Sequence, residues 1–153
     1  MLGITWVMLR SKLKMGIQVK RDYASNLPRI EAFGSELNQV WTNLIDNAIS
    51  AMDGRGELFL RTYYQDSWVV IEIADSGEGI LISIQTKIFD PFFTTKPLGE
   101  GTGLGLNISY NIIIQKHKGQ ISVNPSPGQT PHEPETYKKR CVCSLKKILD
   151  LMR

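Results

Sequence analysis

Apolar positions recur along this chain with two alternating periods, and the switches between them mark out its elements. Leu2, Trp6, Leu9 and Leu13 are spaced four, three and four apart, which makes one stripe of a helix. Such a helix is marginal alone in water and needs a surface to pack on; Gly16 ends it. Ile17, Val19 and Tyr23 then alternate as a short strand, and Asn26 to Ile30, with Pro28 inside, forms a connector. Ser35 is placed to cap a second helix. Leu37, Val40, Trp41, Leu44, Ile45, Ala48 and Met52 keep helical spacing up to Asp53-Gly54, where Gly54 takes the usual C-terminal glycine position. From Glu57 to Tyr64 and from Trp68 to Asp75 the pattern becomes β-like around a turn at Gln65 to Ser67, an antiparallel hairpin. Ile80 to Ile88 suits a short helix. Leu106 to Lys116 suits another, with Leu106, Tyr110, Ile113 and His117 on one side, and Ile121 and Val123 follow Gly119 as a strand. Pro125 to Pro134 holds four prolines and is a loop or linker; Tyr137 to Arg153 is basic, then weakly amphipathic, with no assignable element.

Four polar interruptions of this pattern carry the chemistry. Asn43 and Asn47 stand four apart beside the apolar helical stripe, either as a solvated edge or as a pair aimed at something. Val69, Ile71 and Ile73 share one strand face, and the period of two carries Asp75 onto that same apolar face. A carboxylate there needs a partner, which is either its own Asx turn in Ser76-Gly77-Glu78-Gly79 or a bound group. Phe89-Asp90-Pro91-Phe92-Phe93-Thr94-Thr95-Lys96 mixes three phenylalanines, which read first as core, with a proline and a cation. Gly99, Gly101, Gly103 and Gly105 then alternate just before a helix, which suits equally a flexible hinge or an anion cradle at a helix N-terminus. No G-x-x-x-x-G-K-[ST] and no G-x-G-x-x-G is present.

Composition narrows the class. The chain has 153 residues, 42% hydrophobic and 22% charged, as an ordinary single globular domain has. Its net charge of +3 is mild and concentrated in Arg10 to Arg21 and Lys138 to Lys147, which argues against a nucleic-acid footprint. Cys141 and Cys143 lack a second pair to complete a zinc site and read as reduced thiols, consistent with a cytoplasmic setting. Met1 to Leu9 is too short for a membrane span and has no signal-peptide cleavage pattern.

The order of the four features is more specific than any one of them. Together they resemble the ATP-binding catalytic domain of sensor histidine kinases, in the superfamily that also holds gyrase, Hsp90 and MutL ATPases. Asn43 to Ala48 looks like the N box, Asp75 to Gly79 the first glycine box, Phe89 to Lys96 the F box and Gly99 to Leu106 the second glycine box. The resemblance implies an α+β fold, a two-layer α/β sandwich of the Bergerat type. Its mixed, mostly antiparallel sheet would carry about three helices on one face. The implied domain covers residues 17–130, after a linker helix at 1–16 and before an atypical basic tail at 131–153.

It also implies the site. Asp75 would accept a hydrogen bond from the adenine amino group, and Gly77 and Gly79 would let the backbone approach the ring. Asn47, supported by Asn43, would ligate Mg²⁺, which needs few protein oxygens. Thr95, Lys96, Gly101, Thr102, Gly103, Leu104 and Gly105 would enclose the phosphates, and Phe89 to Gly101 would form a nucleotide-ordered lid. Hydrolysing members carry glutamate where this chain has Asn43, and a carboxamide takes no proton at neutral pH, so phosphoryl transfer is favoured over hydrolysis. Asn43 and Lys96 are thus the expected catalytic groups. The implied cofactors are ATP and Mg²⁺. The implied partners are a phosphoacceptor histidine domain, in trans or lost upstream, and indirectly a response regulator. Two other readings are an ATP-driven switch or hydrolase of the same superfamily, and a nucleotide-free interaction module using Phe92 and Phe93. The sequence departs from the family at Ser50, where many relatives are basic. It departs again after Thr130, where an edge strand is expected to be missing or replaced by Cys141 to Leu145.

Overall fold

The computed structural model describes Arg10, residues 16–124 and residues 139–146. The apolar stripe before Gly16 and the proline-rich stretch after Asn124 lie outside the described residues, apart from Arg10. Within them the chain runs β1 (Ile17–Tyr23), α1 (Gly34–Met52), β2 (Gly56–Gln65), β3 (Trp68–Asp75), a 3₁₀ turn (Ile82–Ile84), α2 (Gly105–Asn111), a π-helical turn (Ile112–Lys116), β4 (Gln120–Asn124) and β5 (Lys139–Lys146). The strands form one sheet in the order β1-β2-β3-β5-β4. β1 runs parallel to β2, and the other neighbours are antiparallel. This is the expected α+β sandwich, with two α-helices and shorter helical turns among the described residues where about three helices were expected.

One face of the sheet meets α1. Register places Ile73 opposite both Leu60 and Cys141, and Ile71 opposite both Thr62 and Cys143, so these side chains share a face. Against them pack Leu37, Val40, Trp41, Leu44, Ile45, Ala48 and Met52, the stripe read from the sequence, and all are buried. Period two in the strands and period 3.6 in the helix therefore close on a single core.

Several local expectations change. Ser35 does not cap α1: the helix starts at Gly34 with Phe33 at the N-cap position and no side-chain cap. The Phe33 N–H instead donates to His117 Nε2 at 3.0 Å, while the other ring nitrogen, Nδ1, faces the Ile112 carbonyl at 2.9 Å. A residue from the far end of the helical layer thus does the capping. At the other end Asp53 itself takes the left-handed conformation, with Gly54 following it there. Ile80 to Ile88 forms only one 3₁₀ turn, and the helix after the glycine loop passes from α to π at Ile112.

The largest correction concerns the end of the domain. Cys141 to Leu145 lies in β5, which is an interior strand paired with both β3 and β4, and β4 holds the edge. The expected boundary at residue 130 therefore falls before a central strand of the same sheet. Cys141, Cys143 and Leu145 alternate inward and are buried, which is the physical reason that this stretch belongs with the core.

Candidate functional site: a cleft between α1 and the glycine loop

A cleft of about 600 Å³ opens between α1 and the segment leading into α2, a size in the usual range for a small-molecule site. From α1 come Asn47, Ser50 and Ala51; from the turn after β3 come Glu78, Gly79 and Ile80. Thr94, Thr95, Lys96 and Pro97 face it from the F-box stretch. Glu100, Gly101, Thr102, Gly103, Gly105 and Leu106 complete the wall. The cleft thus has an apolar part, including Ile80, Ile84, Ile88 and Phe93, and a polar part where Asn47 and Lys96 sit with the glycine loop.

Of the residues expected at a nucleotide site, Asn47, Gly79, Thr95, Lys96, Gly101, Thr102, Gly103 and Gly105 line this cleft. Asn43, Asp75, Gly77 and Leu104 are not among the residues that line it. Asn43, one turn before Asn47, donates from its amide to the Gly105 carbonyl at 3.2 Å and to Ser109 Oγ at 3.4 Å, tying α1 to the start of α2. Leu104 precedes α2, and its N–H donates to Thr102 Oγ1 at 3.3 Å.

Asp75 ends β3 on the helix-facing side, as the parity of the strand requires, and is 1% exposed. Its Oδ1 accepts the Gly77 N–H at 3.0 Å, so the Asx turn is formed. Gly77 lies so close to α1 that a Cβ there would stand 2.5 Å from the Ala51 carbonyl oxygen. Ala51 lines the cleft, so this contact seats its floor against the Asp75 turn.

The glycine loop is shaped by the phenylalanine segment. Gly103 has φ +69°, and a Cβ on it would meet the Phe92 backbone at 2.4 Å. Phe92 is itself left-handed at φ +66° and leaves its ring 73% exposed, whereas Phe89 and Phe93 are partly buried against the core. The three phenylalanines therefore divide between core and surface. Ile80, Ile84 and Ile88 also line the cleft, beyond the residues expected from the sequence; their spacing of four is the signal that could have found them.

Known proteins match this chain over the same region. The histidine kinase-, DNA gyrase B- and HSP90-like ATPase family matches residues 34–144. The signal transduction histidine-protein kinase AtoS of Escherichia coli strain K12 is 45% identical over 118 residues, covering 74% of this chain. The chain spans 19% of that relative's length. The catalytic domain of histidine kinase ThkA superposes with a TM-score of 0.78 at 30% identity, covering 93% of this chain and 88% of that one. The structure of ThkA in complex with response regulator protein TrrA matches with a TM-score of 0.75 at 27% identity, over 95% of this chain and 39% of that chain. Matched from α1 through the hairpin and the glycine loop to β5, the chain belongs to the histidine kinase-, DNA gyrase B- and HSP90-like ATPase family, as a catalytic domain of the sensor histidine kinase kind.

Proposed function

We propose that the chain binds Mg·ATP in this cleft and positions its γ-phosphoryl group for transfer to a histidine side chain. The observation that carries the proposal is the convergence of Asn47, Lys96 and the glycine loop on one concave surface, with the Asp75 turn behind it. In this reading the base lies toward the Asp75 turn, where a buried carboxylate accepts from an exocyclic amine and Gly79 leaves room for a ring. Gly101 to Gly105 offer backbone N–H groups to the phosphates, and Lys96 adds a positive charge.

The donor set suits Mg²⁺. Among the described residues there is no group of three or more His, Cys, Asp or Glu side chains able to hold a metal, so the ion would take the Asn47 amide oxygen, phosphate oxygens and water. When bound, it neutralises charge between the phosphates. The chain's own contribution is positioning and electrostatics, the main protein contribution in phosphoryl transfer. Position 43 offers no general base, because its amide nitrogen is committed to Gly105 and Ser109 and a carboxamide takes up no proton at neutral pH. This favours transfer over attack by water.

The accepting histidine belongs to a separate phosphoacceptor domain. His117 is held by Phe33 and Ile112 and does not line the cleft, so it is not that acceptor. A response regulator follows as the next carrier, by analogy with the ThkA complex. A cytoplasmic setting is part of the same proposal. The test is calorimetric titration with Mg²⁺ and a non-hydrolysable ATP analogue. The parent binds, and Asp75→Asn and Asn47→Ala each weaken binding by about 10- to 100-fold, the worth of a charge-assisted contact. No binding by the parent, or equal binding by all three, would defeat the proposal.

A further inference from the structure

Residues 90–104 carry neither helix nor strand, and a stretch of this length inside a compact domain is more than a plain connection. It contributes Phe93, Thr95, Lys96 and the glycines to the cleft wall. Both its ends meet on one helix. At the exit, Gly105 opens α2, and its carbonyl accepts from Asn43. At the entrance, Asn107 in the first turn of α2 donates from Nδ2 to the Phe89 carbonyl at 3.0 Å. The Asn107 Oδ1 accepts from Asn111 at 3.4 Å, which holds the amide in that orientation. The Tyr110 ring lies against Phe89 with centroids 5.3 Å apart, and Ile88, the residue before, is buried in the core. Phe89 is therefore anchored by side chain and backbone alike, and the unstructured stretch starts immediately after it.

We propose that Asn107 is a positioning residue whose amide pins the entrance of this loop to the helix that forms its exit, so that the loop closes over nucleotide from two fixed points. The inference rests on the nucleotide reading of the cleft. A loop held at both ends has fewer conformations to lose when it orders around a ligand, and this preorganisation appears as affinity.

Asn107→Asp isolates the pin in the full chain. It is nearly isosteric and keeps the acceptor for Asn111, but replaces the donor with an oxygen that repels the Phe89 carbonyl. In the free chain, amide hydrogen exchange across residues 90–104 rises while the melting temperature stays close to the parent's. Binding of Mg²⁺ with a non-hydrolysable ATP analogue weakens by about 3- to 10-fold, the worth of one neutral hydrogen bond. Compared with the parent at each pH, this penalty shrinks as the pH falls from about 8 toward 5. The protonated carboxyl regains an O–H donor, and a carboxylate facing a carbonyl titrates above its usual value of about 3.9. Unchanged exchange in the free variant, or a penalty indifferent to pH, would overturn the pin. If the parent binds no nucleotide while exchange in the variant still rises, the pin stands and the ligand reading fails.

Discussion

Adding a single methyl group at Gly103 tests whether the shape of the glycine loop, rather than its looseness, makes the cleft. Two costs coincide there. Alanine at φ +69° sits in the left-handed region, at about 1–2 kcal/mol. Its Cβ would also lie 2.4 Å from the Phe92 carbonyl carbon and 2.6 Å from its oxygen, a backbone contact that no rotamer change relieves. Overpacking of this kind costs about 1–3 kcal/mol, which brings the total to about 2–5 kcal/mol. The loop is partly exposed and can escape by moving off Phe92, so the cost falls on nucleotide binding more than on folding. We expect Gly103→Ala to weaken binding of Mg²⁺ and a non-hydrolysable ATP analogue by about 30- to 4,000-fold in calorimetry, with little change in melting temperature. The same loop supplies its own controls. Gly99→Ala meets nothing within 4 Å and bears only the conformational cost of φ +88°. Gly101→Ala has an unrestricted φ and touches only the flexible Lys96 and Thr94 side chains, and Gly105→Ala makes ordinary contact with Asn43 at 3.6 Å. The expected order of damage is Gly103, then Gly99, then the other two. Equal losses at all four positions, or parent-like binding by Gly103→Ala, would show that the loop works by flexibility and refute the reasoning.

Two further outcomes concern the core. Leu44→Ala removes a side chain that is 1% exposed at the centre of the α1 contact with the sheet, and should cost about 2–5 kcal/mol in urea denaturation. Burial pushes the Cys143 thiol well above its ordinary value, and neighbouring Cys141 adds to the rise. The folded state then keeps a proton that the unfolded chain releases above about pH 8.5, so this contribution to stability is intact below that pH and declines as pH rises past it. Denaturation midpoints across the alkaline range should show a shallower decline in Cys143→Ala.

Much of this was legible in the sequence wherever one local period governs. Seven apolar positions at helical spacing defined the buried face of α1, and counting by two from Val69 placed Asp75 on the core side before any contact was known. The misreadings occur where a distant residue decides. Ser35 has the chemistry of a cap, yet the N-terminus of α1 is satisfied by His117, eighty-four positions from Phe33. The four-residue spacing of Ile80, Ile84 and Ile88 resembles a helix, but here it supplies the apolar side of the cleft around a single 3₁₀ turn. β5 carries a clear inward alternation of Cys141, Cys143 and Leu145, but proline-rich chain separates it from β4, and its central place depends on pairing with β3. The left-handed Phe92 had no sequence signal, because its conformation is set by the approach of Gly103.

The two asparagines that first drew attention to α1 share a spacing and divide the work. Asn47 reaches the cleft, whereas Asn43 faces the helix beyond it, where the Gly105 carbonyl accepts from both Asn43 and Ser109 Oγ, the latter at 2.9 Å. Ser109 is fully buried, so this node must be satisfied within the protein. A glutamate at position 43 would introduce a titratable carboxylate but would set it against the Gly105 carbonyl, with no donor to offer it. Asparagine reverses both properties: it holds the exit of the loop and cannot activate water. Under the proposed function, retention of the phosphoryl group and anchoring of the glycine loop would rest on the same carboxamide, which stands outside the cleft and reaches it through the Gly105 carbonyl.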